Sequence, residues 1–412
     1  MTSPHYDGLE TRDPAAREAA LLAALPKQIA HAQAKAPYYA ATLKGIDPRE
    51  IASRKALAGL PVTRKSELIA LQQQQPPFAG LNAVPQGELA RIFMSPGPIY
   101  EPEARAPDFW RMARALYAAG FRKGQLVHNS FSYHLTPAGA MLEAAAQLLG
   151  CAVVPGGVGQ TELQLRAITD LKPDGYVGTP SFLKILVDKA RESGTVISSL
   201  KRALVSGEAF LKPAQAEISS AGIDAYQCYA TAELGLIAYE SPAREGLILA
   251  EDIVVELLRP GTSDPVAEDE IGEVTVTLLS PDYPLIRFAT GDLSALLPGQ
   301  SPCGRSNARI KGWLGRADQT AKVKGLFVHP AQIADIVKRH PGLARARLVI
   351  EQDAAGDALT LEAESASPDA ALESGLAESL TAITRLQGRI RLVAPGQLPK
   401  DGKIIEDRRQ AP

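Results

Sequence analysis

Between residues 110 and 207, four helical stretches alternate with four short apolar strands, and this alternation constrains the chain more than any other feature. The residues predict helices at 110–119, 138–149, 162–170 and 181–193. Strands are expected at 125–131 (QLVHNSF), 151–156 (CAVVPG), 175–180 (GYVGTP) and 202–207 (RALVSG). Apolar runs this short, spaced by helices of this length, argue for an α/β layer with a mostly parallel sheet. Upstream, AAREAALLAALPKQIAHAQA at 15–34 reads as helix with Pro26 as its one strong breaker. Downstream, DIVVELLRP (252–260) and GEVTVTLLS (272–280) are β-rich and flank a turn-rich acidic segment, which predicts antiparallel pairing. After residue 315, strands at 345–352, 358–364 and 389–394 and a helix from Asp369 to Leu386 predict a small α/β domain; Asp369 is a good N-cap type. The expected division is a large domain at 1–314 and a small one at 315–412.

At 412 residues the chain is long enough for two or three domains. Hydrophobic residues make up 45% and charged residues 22%, the balance of a soluble globular protein. A net charge of −2 leaves no electrostatic footprint for nucleic acid or an acidic membrane surface. No stretch reaches the roughly 18 apolar residues of a membrane span, and the polar N-terminus lacks a signal-peptide core. Cys151, Cys228 and Cys303 are too widely spaced for a disulfide framework or a CxxC site, which fits the reducing cytoplasm. No repeat of fixed period occurs, and QQQQPP at 72–77 is the one low-complexity run.

Four motifs carry chemistry, in this order: YATAE (229–233), RFATGD (287–292), GRADQTAKVKG (315–325) and LPKDGK (398–403). As separated loops they offer an aromatic face, a hydroxyl and carboxylate pair, an aspartate suited to ribose and a terminal lysine. Those are the groups that activation of a carboxylate by ATP needs. YATAE follows the apolar run 224–228, which places it at the carboxyl end of a strand, where open α/β sheets bind ligands.

With YHLTPAG (133–139), GGVGQTELQLRAI (156–168), GTPSFL (178–183) and VSGEAF (205–210), these motifs resemble the phenylacetate–CoA ligase branch of the adenylate-forming superfamily, over about residues 38–409. The resemblance implies that a carboxylate and ATP give acyl-adenylate and pyrophosphate, after which the thiol of coenzyme A attacks. It implies that Tyr229 packs on adenine, Thr231 contacts phosphate and Glu233 holds Mg²⁺, a hard cation suited to carboxylate oxygen. Ser206, Gly207, Glu208 and Ala230 join the cofactor site. Tyr133, His134 and Ala232 line the acyl pocket, whose apolar tone suggests an aromatic acid; His134 could equally be structural. Asp292 is matched to the ribose hydroxyls, since a carboxylate accepts two hydrogen bonds at once. Arg287 is expected to position that loop. Arg316 and Asp318 fall at a second ribose or phosphate contact and at a hinge between domains. Lys403 corresponds to the lysine that neutralises charge during adenylation, with Lys400 as its rival, and Lys324 to a coenzyme A phosphate contact.

Two departures stand out. Most relatives carry a Ser/Thr/Gly-rich phosphate loop ending in Gly-Lys-Pro, where this chain reads FMSPGPIYEP (93–102). Pro96 and Pro98 remove backbone donors, the lysine is absent, and Glu101 and Glu103 are expected to repel phosphate. Some relatives also have a Cys/His set, where this chain keeps Cys303 alone, so no zinc is expected. Two alternatives follow: transfer of the acyl group to a carrier-protein thiol or an amine, or a silent protein that binds nucleotide or acyl-CoA. Analogy with relatives and an apolar face on the N-terminal helix also suggest a homodimer.

Overall fold

The computed structural model describes residues 3–268, 270–323, 326–353, 356–399 and 403–409. Two compact units result. The first takes the described residues of Met1–Leu258, Ser263–Thr290 and Ala295–Trp313, and the second those of Arg259–Thr262, Gly291–Ser294 and Leu314–Pro412.

The first unit is organised by a nine-stranded sheet. The strands Ala152–Pro155, Leu126–Asn129, Gly175–Gly178, Arg202–Val205 and Asp224–Thr231 lie side by side in that order, all parallel. Gly235–Glu240 then turns back antiparallel, and three shorter strands complete the sheet. Side chains alternate along each strand. Tyr176, Ala203, Val205 and Ala225 therefore enter one buried cluster with Leu183, Leu186 and Val187 of the helix Pro180–Ser193. Val177, Leu204 and Tyr226 enter another cluster with Met141 and Ala145 of the helix Ala138–Leu148. Helices on both faces explain why these strands read as continuous apolar runs.

A second sheet orders Thr63–Arg64, Phe288–Ser294, Gly272–Leu278 and Ile253–Leu258, and the last two pair antiparallel as expected. RFATGD is thus largely strand rather than loop. The N-terminal helix runs Pro14–Lys35 straight through Pro26, capped by Asp13, which accepts from the Ala16 N–H at 2.9 Å. Its Leu21, Leu25, Ile29 and Ala32 are buried in the unit's own core, at about 2 kcal/mol for each large side chain. The apolar face expected to seek a second copy is therefore covered within the chain.

The helix expected at 110–119 begins only at Ala113. Asp108 accepts from the N–H groups of Met112 (2.8 Å) and Ala113 (2.9 Å), so the first turn is capped there and Trp110 and Arg111 are left for another task. In the second unit, Leu343–Asp353, Gly356–Ser365, Arg389–Val393 and Ile405–Asp407 form a four-stranded sheet. The helix Ala370–Thr384 is capped by Asp369, which accepts from the Leu372 N–H at 2.7 Å. Among the described residues no helix is long and apolar enough to cross a membrane.

Candidate active site

All five parallel strands present their carboxyl ends at one edge, and the expected site residues of the first unit gather there. After Leu126–Asn129 comes Tyr133, whose hydroxyl accepts from Asn129 Nδ2 at 2.8 Å; His134 beside it is exposed. After Arg202–Val205, Ser206 is fixed twice: its N–H donates to the Gly178 carbonyl (3.2 Å) and its hydroxyl to the Cys228 carbonyl (2.8 Å). Gly207 follows at φ +86, in the left-handed region that favours glycine. Glu208 accepts from the Ser181 N–H at 2.7 Å, in the first turn of Pro180–Ser193, where the helix dipole favours a carboxylate.

Tyr229, Ala230 and Thr231 end the strand Asp224–Thr231, and a shift of register between Tyr229 and Ala230 re-aims that end. The Tyr229 hydroxyl donates to Thr290 Oγ1 (3.1 Å) and the Thr290 hydroxyl to the Val274 carbonyl (3.0 Å), so the ring is held from its far end. Thr231 Oγ1 accepts from the Leu234 N–H at 3.2 Å, closing the turn. Trp110 Nε1 donates to the Ala232 carbonyl at 3.2 Å, and Arg111 donates to the carbonyls of Leu234 and Leu236. That is the task for which the helix start is delayed. Gly235 completes the turn at φ +67, where a Cβ would meet the Trp110 carbonyl oxygen at 2.6 Å.

Glu233 is 1% exposed, and Lys65 Nζ lies 2.8 Å from its Oε1. An unpaired carboxylate so deep is costly, and the ammonium offsets that cost. Sequence reading missed Lys65, since 168 positions separate the pair and no local signal links them.

The stretch 93–102 is not an open loop. Arg91–Ser95 and Ile99–Glu103 form a hairpin, with Phe93 opposite Glu101 and Arg91 opposite Glu103. Both glutamates are buried rather than presented to solvent as repelling charges. Glu103 pairs with Arg91 at 3.3 Å. Glu101 accepts from the Ser95 N–H (3.2 Å) and from the Ser95 hydroxyl.

Burial raises the Glu101 carboxyl from its ordinary 4.5 to about 7; Glu233 adds to the rise, while Ser95 and Lys65 oppose it. Between those two values the folded state holds more protons on this group than the unfolded chain does. Its contribution therefore falls as pH rises through that window. Glu101→Gln is expected to flatten the fall in stability between pH 4.5 and 7, by up to about 3 kcal/mol. Denaturant midpoints across that range check it; an unchanged slope refutes it.

The second unit brings Asp292, Arg316 and Asp318 together. Arg316 Nη1 lies 3.2 Å from Asp292 Oδ1, and its Nε lies 3.4 Å from Asp318 Oδ1. Lys403 is exposed, and its carbonyl accepts from Arg347 Nε at 3.0 Å. The next residue, Ile404, donates its N–H to Gln319 Oε1 at 2.8 Å, which ties the segment to the turn Ala317–Gln319 after Arg316. Lys324 and Lys400 lie outside the described residues. Cys303 sits among Ser301 (3.1 Å) and Arg305 (3.6 Å). Among the described residues no group of three or more His, Cys, Asp or Glu could hold a metal ion.

No protein-family model matches the chain. A phenylacetate–coenzyme A ligase of Aromatoleum evansii is 32% identical over 354 residues, covering 82% of this chain and 79% of that protein. The chain belongs to the phenylacetate–coenzyme A ligase family. A second such ligase, from Pseudomonas putida, is 31% identical over 348 residues, covering 80% of this chain and 77% of that protein. The open conformation of 2-hydroxyisobutyryl-CoA ligase, solved with 2-HIB-AMP and CoA, matches with a TM-score of 0.86 at 25% identity, over 98% of this chain and 95% of that one. The fold is that of the adenylate-forming CoA ligases. In this member of the phenylacetate–coenzyme A ligase family, the hairpin at 91–103 carries a glutamate bonded to the serine at its tip.

Proposed function

We propose that this chain is an AMP-forming acid–coenzyme A ligase acting on an aromatic carboxylate of the phenylacetate or benzoate kind. One observation carries the reading: Tyr229 and Thr231 end a strand at the carboxyl edge of the sheet and Glu233 sits in the turn that follows, on the edge that also carries Ser206–Glu208 and Tyr133, in a chain of this family. In the first half-reaction a substrate carboxylate oxygen attacks the α-phosphorus of ATP and pyrophosphate leaves. In the second, the thiol of coenzyme A attacks the acyl carbon and AMP leaves.

The residues divide the work. Tyr229, its ring fixed through Thr290, offers a face to adenine, with Ala230, Ser206, Gly207 and Glu208 bordering it. The Thr231 oxygen already closes the turn, and its O–H donates to phosphate. Mg²⁺ belongs to the same reading: a Glu233 oxygen would hold it, with Lys65 Nζ 2.8 Å from that carboxylate as a second positive charge at the site. That ion would neutralise the triphosphate and polarise the phosphorus under attack. Asp292 accepts from the ribose hydroxyls, with Arg316 steadying it. Lys403 meets the carboxylate and α-phosphate, and Lys324 a phosphate of coenzyme A. Tyr133, His134 and Ala232 border the acyl group. Rotation of the 315–412 domain about residues 315–318 exchanges the two half-reactions. A cytoplasmic location and a homodimer, the latter resting on analogy with relatives alone, complete the proposal; light scattering on the pure protein tests the dimer.

Calorimetric titration with Mg·ATP is the first test. Dissociation constants between micromolar and low millimolar are expected, weakened at least about tenfold by Asp292→Ala, as for loss of a charged hydrogen-bond acceptor. Absence of binding at several millimolar would remove the ligase reading.

A further inference from the structure

The hairpin tip offers few donors for a phosphate group. In the stretch 95–98, Pro96 and Pro98 have no N–H, which leaves the Ser95 N–H, the Ser95 hydroxyl and the Gly97 N–H. Two of these three are already used. The Ser95 N–H donates to Glu101 Oε2 at 3.2 Å and the Ser95 hydroxyl donates to Glu101 Oε1. A carboxylate taking one N–H and one O–H on its two oxygens accepts the bonds that two phosphate oxygens would accept there. Glu101 is fully buried, so this is a built contact and not a surface side chain folded back.

The surroundings favour that arrangement. Lys65, the cation that acts on Glu101, is held by Glu233 at 2.8 Å. The same cluster contains an unused donor. Among the described residues the buried Tyr283 hydroxyl has no hydrogen-bond partner, and both Glu233 and Glu101 act on it electrostatically. Glu101 therefore shares its electrostatic surroundings with an unused buried donor. On the open side, residues 94–98 and 134–136 line one groove, and the Met94 N–H donates to the Leu135 carbonyl at 2.9 Å, so the tip borders the acyl-pocket segment.

We propose that Glu101 is an internal competitor for the phosphate donors of the hairpin tip, setting this chain's preference between nucleoside mono- and triphosphate. The inference rests on the ligase reading. Triphosphate engages Ser95 only in exchange for Glu101, whereas AMP, which lacks the β- and γ-phosphates, makes no such demand. Removing the carboxylate charge therefore tightens ATP, the opposite of what loss of a binding residue does.

The test is calorimetry of the full chain with AMP, Mg·ATP and Mg·pyrophosphate, for wild type, Glu101→Gln, Ser95→Ala and the double variant. Glu101→Gln is expected to tighten ATP and pyrophosphate by about tenfold, the worth of one displaced charge-assisted hydrogen bond, and to leave AMP unchanged. In the Ser95→Ala background, which loses the hydroxyl and keeps the backbone N–H, that gain should shrink to about threefold or less. A gain that persists undiminished there means general charge repulsion and overturns the proposal, as does unchanged or weaker ATP binding in a folded Glu101→Gln. If Glu101→Gln does not fold, Ser95→Ala alone decides. With its donors already engaged, Ser95 contributes little net affinity, so less than about a threefold loss is expected, and tenfold weakening overturns the competition. AMP binding without an effect of Glu101 sinks this inference alone. Failure of wild type to bind either nucleotide sinks the ligase reading and this inference with it.

Discussion

Lys403→Ala is expected to lower adenylation by about 10²–10³-fold while sparing thioester formation from supplied acyl-adenylate and coenzyme A. The first half-reaction concentrates negative charge where the carboxylate and the α-phosphate meet, and a compact ammonium is suited to neutralise it. The second half-reaction starts from the mixed anhydride already formed and makes no such demand. Lys403 is exposed, and the contact that fixes its place is made by its backbone, through Arg347 Nε at 3.0 Å. Truncating the side chain therefore leaves that anchor and the paired strand Ile405–Asp407 intact. Isotope exchange between pyrophosphate and ATP reads the first step, and thioester release from added acyl-adenylate reads the second. Loss of both steps would refute this role for Lys403. An unchanged exchange rate would equally do so.

Sequence periodicity revealed the frame because the frame obeys local rules. The strands Leu126–Asn129, Gly175–Gly178 and Arg202–Val205 are short and almost wholly buried, and the more open edge strand Ala152–Pro155 is apolar too, so each shows as an apolar run with helix on either side. Asp369 is legible as a cap for the same reason: its bond reaches three residues along the chain. What escaped notice depends on distant partners. Nothing near Lys65 points to Glu233: Thr63–Arg64, just before Lys65, pairs in parallel with Phe288–Ser294, and Thr290 of that strand accepts from the Tyr229 hydroxyl four residues before Glu233. The delayed helix at Ala113 follows from Trp110 and Arg111 serving a turn more than a hundred residues away. The hairpin at 91–103 shows the same limit. Its residue types imply a loop hostile to phosphate, but only the pairing of Ser95 with Ile99 puts the Glu101 carboxyl on the serine donors. Tyr229, Thr231 and Glu233 were legible as a group because they are adjacent at a strand end.

Arg287 and Asp292 share one motif, yet their loss should be felt in opposite ways. Arg287→Met is expected to cost the first unit about 3–5 kcal/mol, the range for breaking a buried ion pair by removing one partner. Arg287 is 0% exposed, and its Nε and Nη2 each lie 3.0 Å from an oxygen of the buried Glu256. Its remaining N–H groups donate to the carbonyls of Ala58 (2.8 Å), Leu60 (2.5 Å) and Ser263 (3.0 Å), so one side chain satisfies acceptors from three segments. The backbone at φ +45 is itself unfavourable for a residue with a side chain, which shows how firmly these bonds fix the position. Arg287→Lys should rescue little, because an ammonium cannot reproduce the fork. The double change Arg287→Met with Glu256→Leu should recover part of the loss, since it leaves no unpaired buried charge but still strips the Ala58, Leu60 and Ser263 carbonyls of their donor. Asp292→Ala, by contrast, should leave stability near that of wild type and weaken nucleotide binding at least about tenfold. Denaturant unfolding of the four proteins, followed by titration of each folded one with Mg·ATP, separates the two roles. Stability of Arg287→Met within about 1 kcal/mol of wild type would show that the buried network is dispensable.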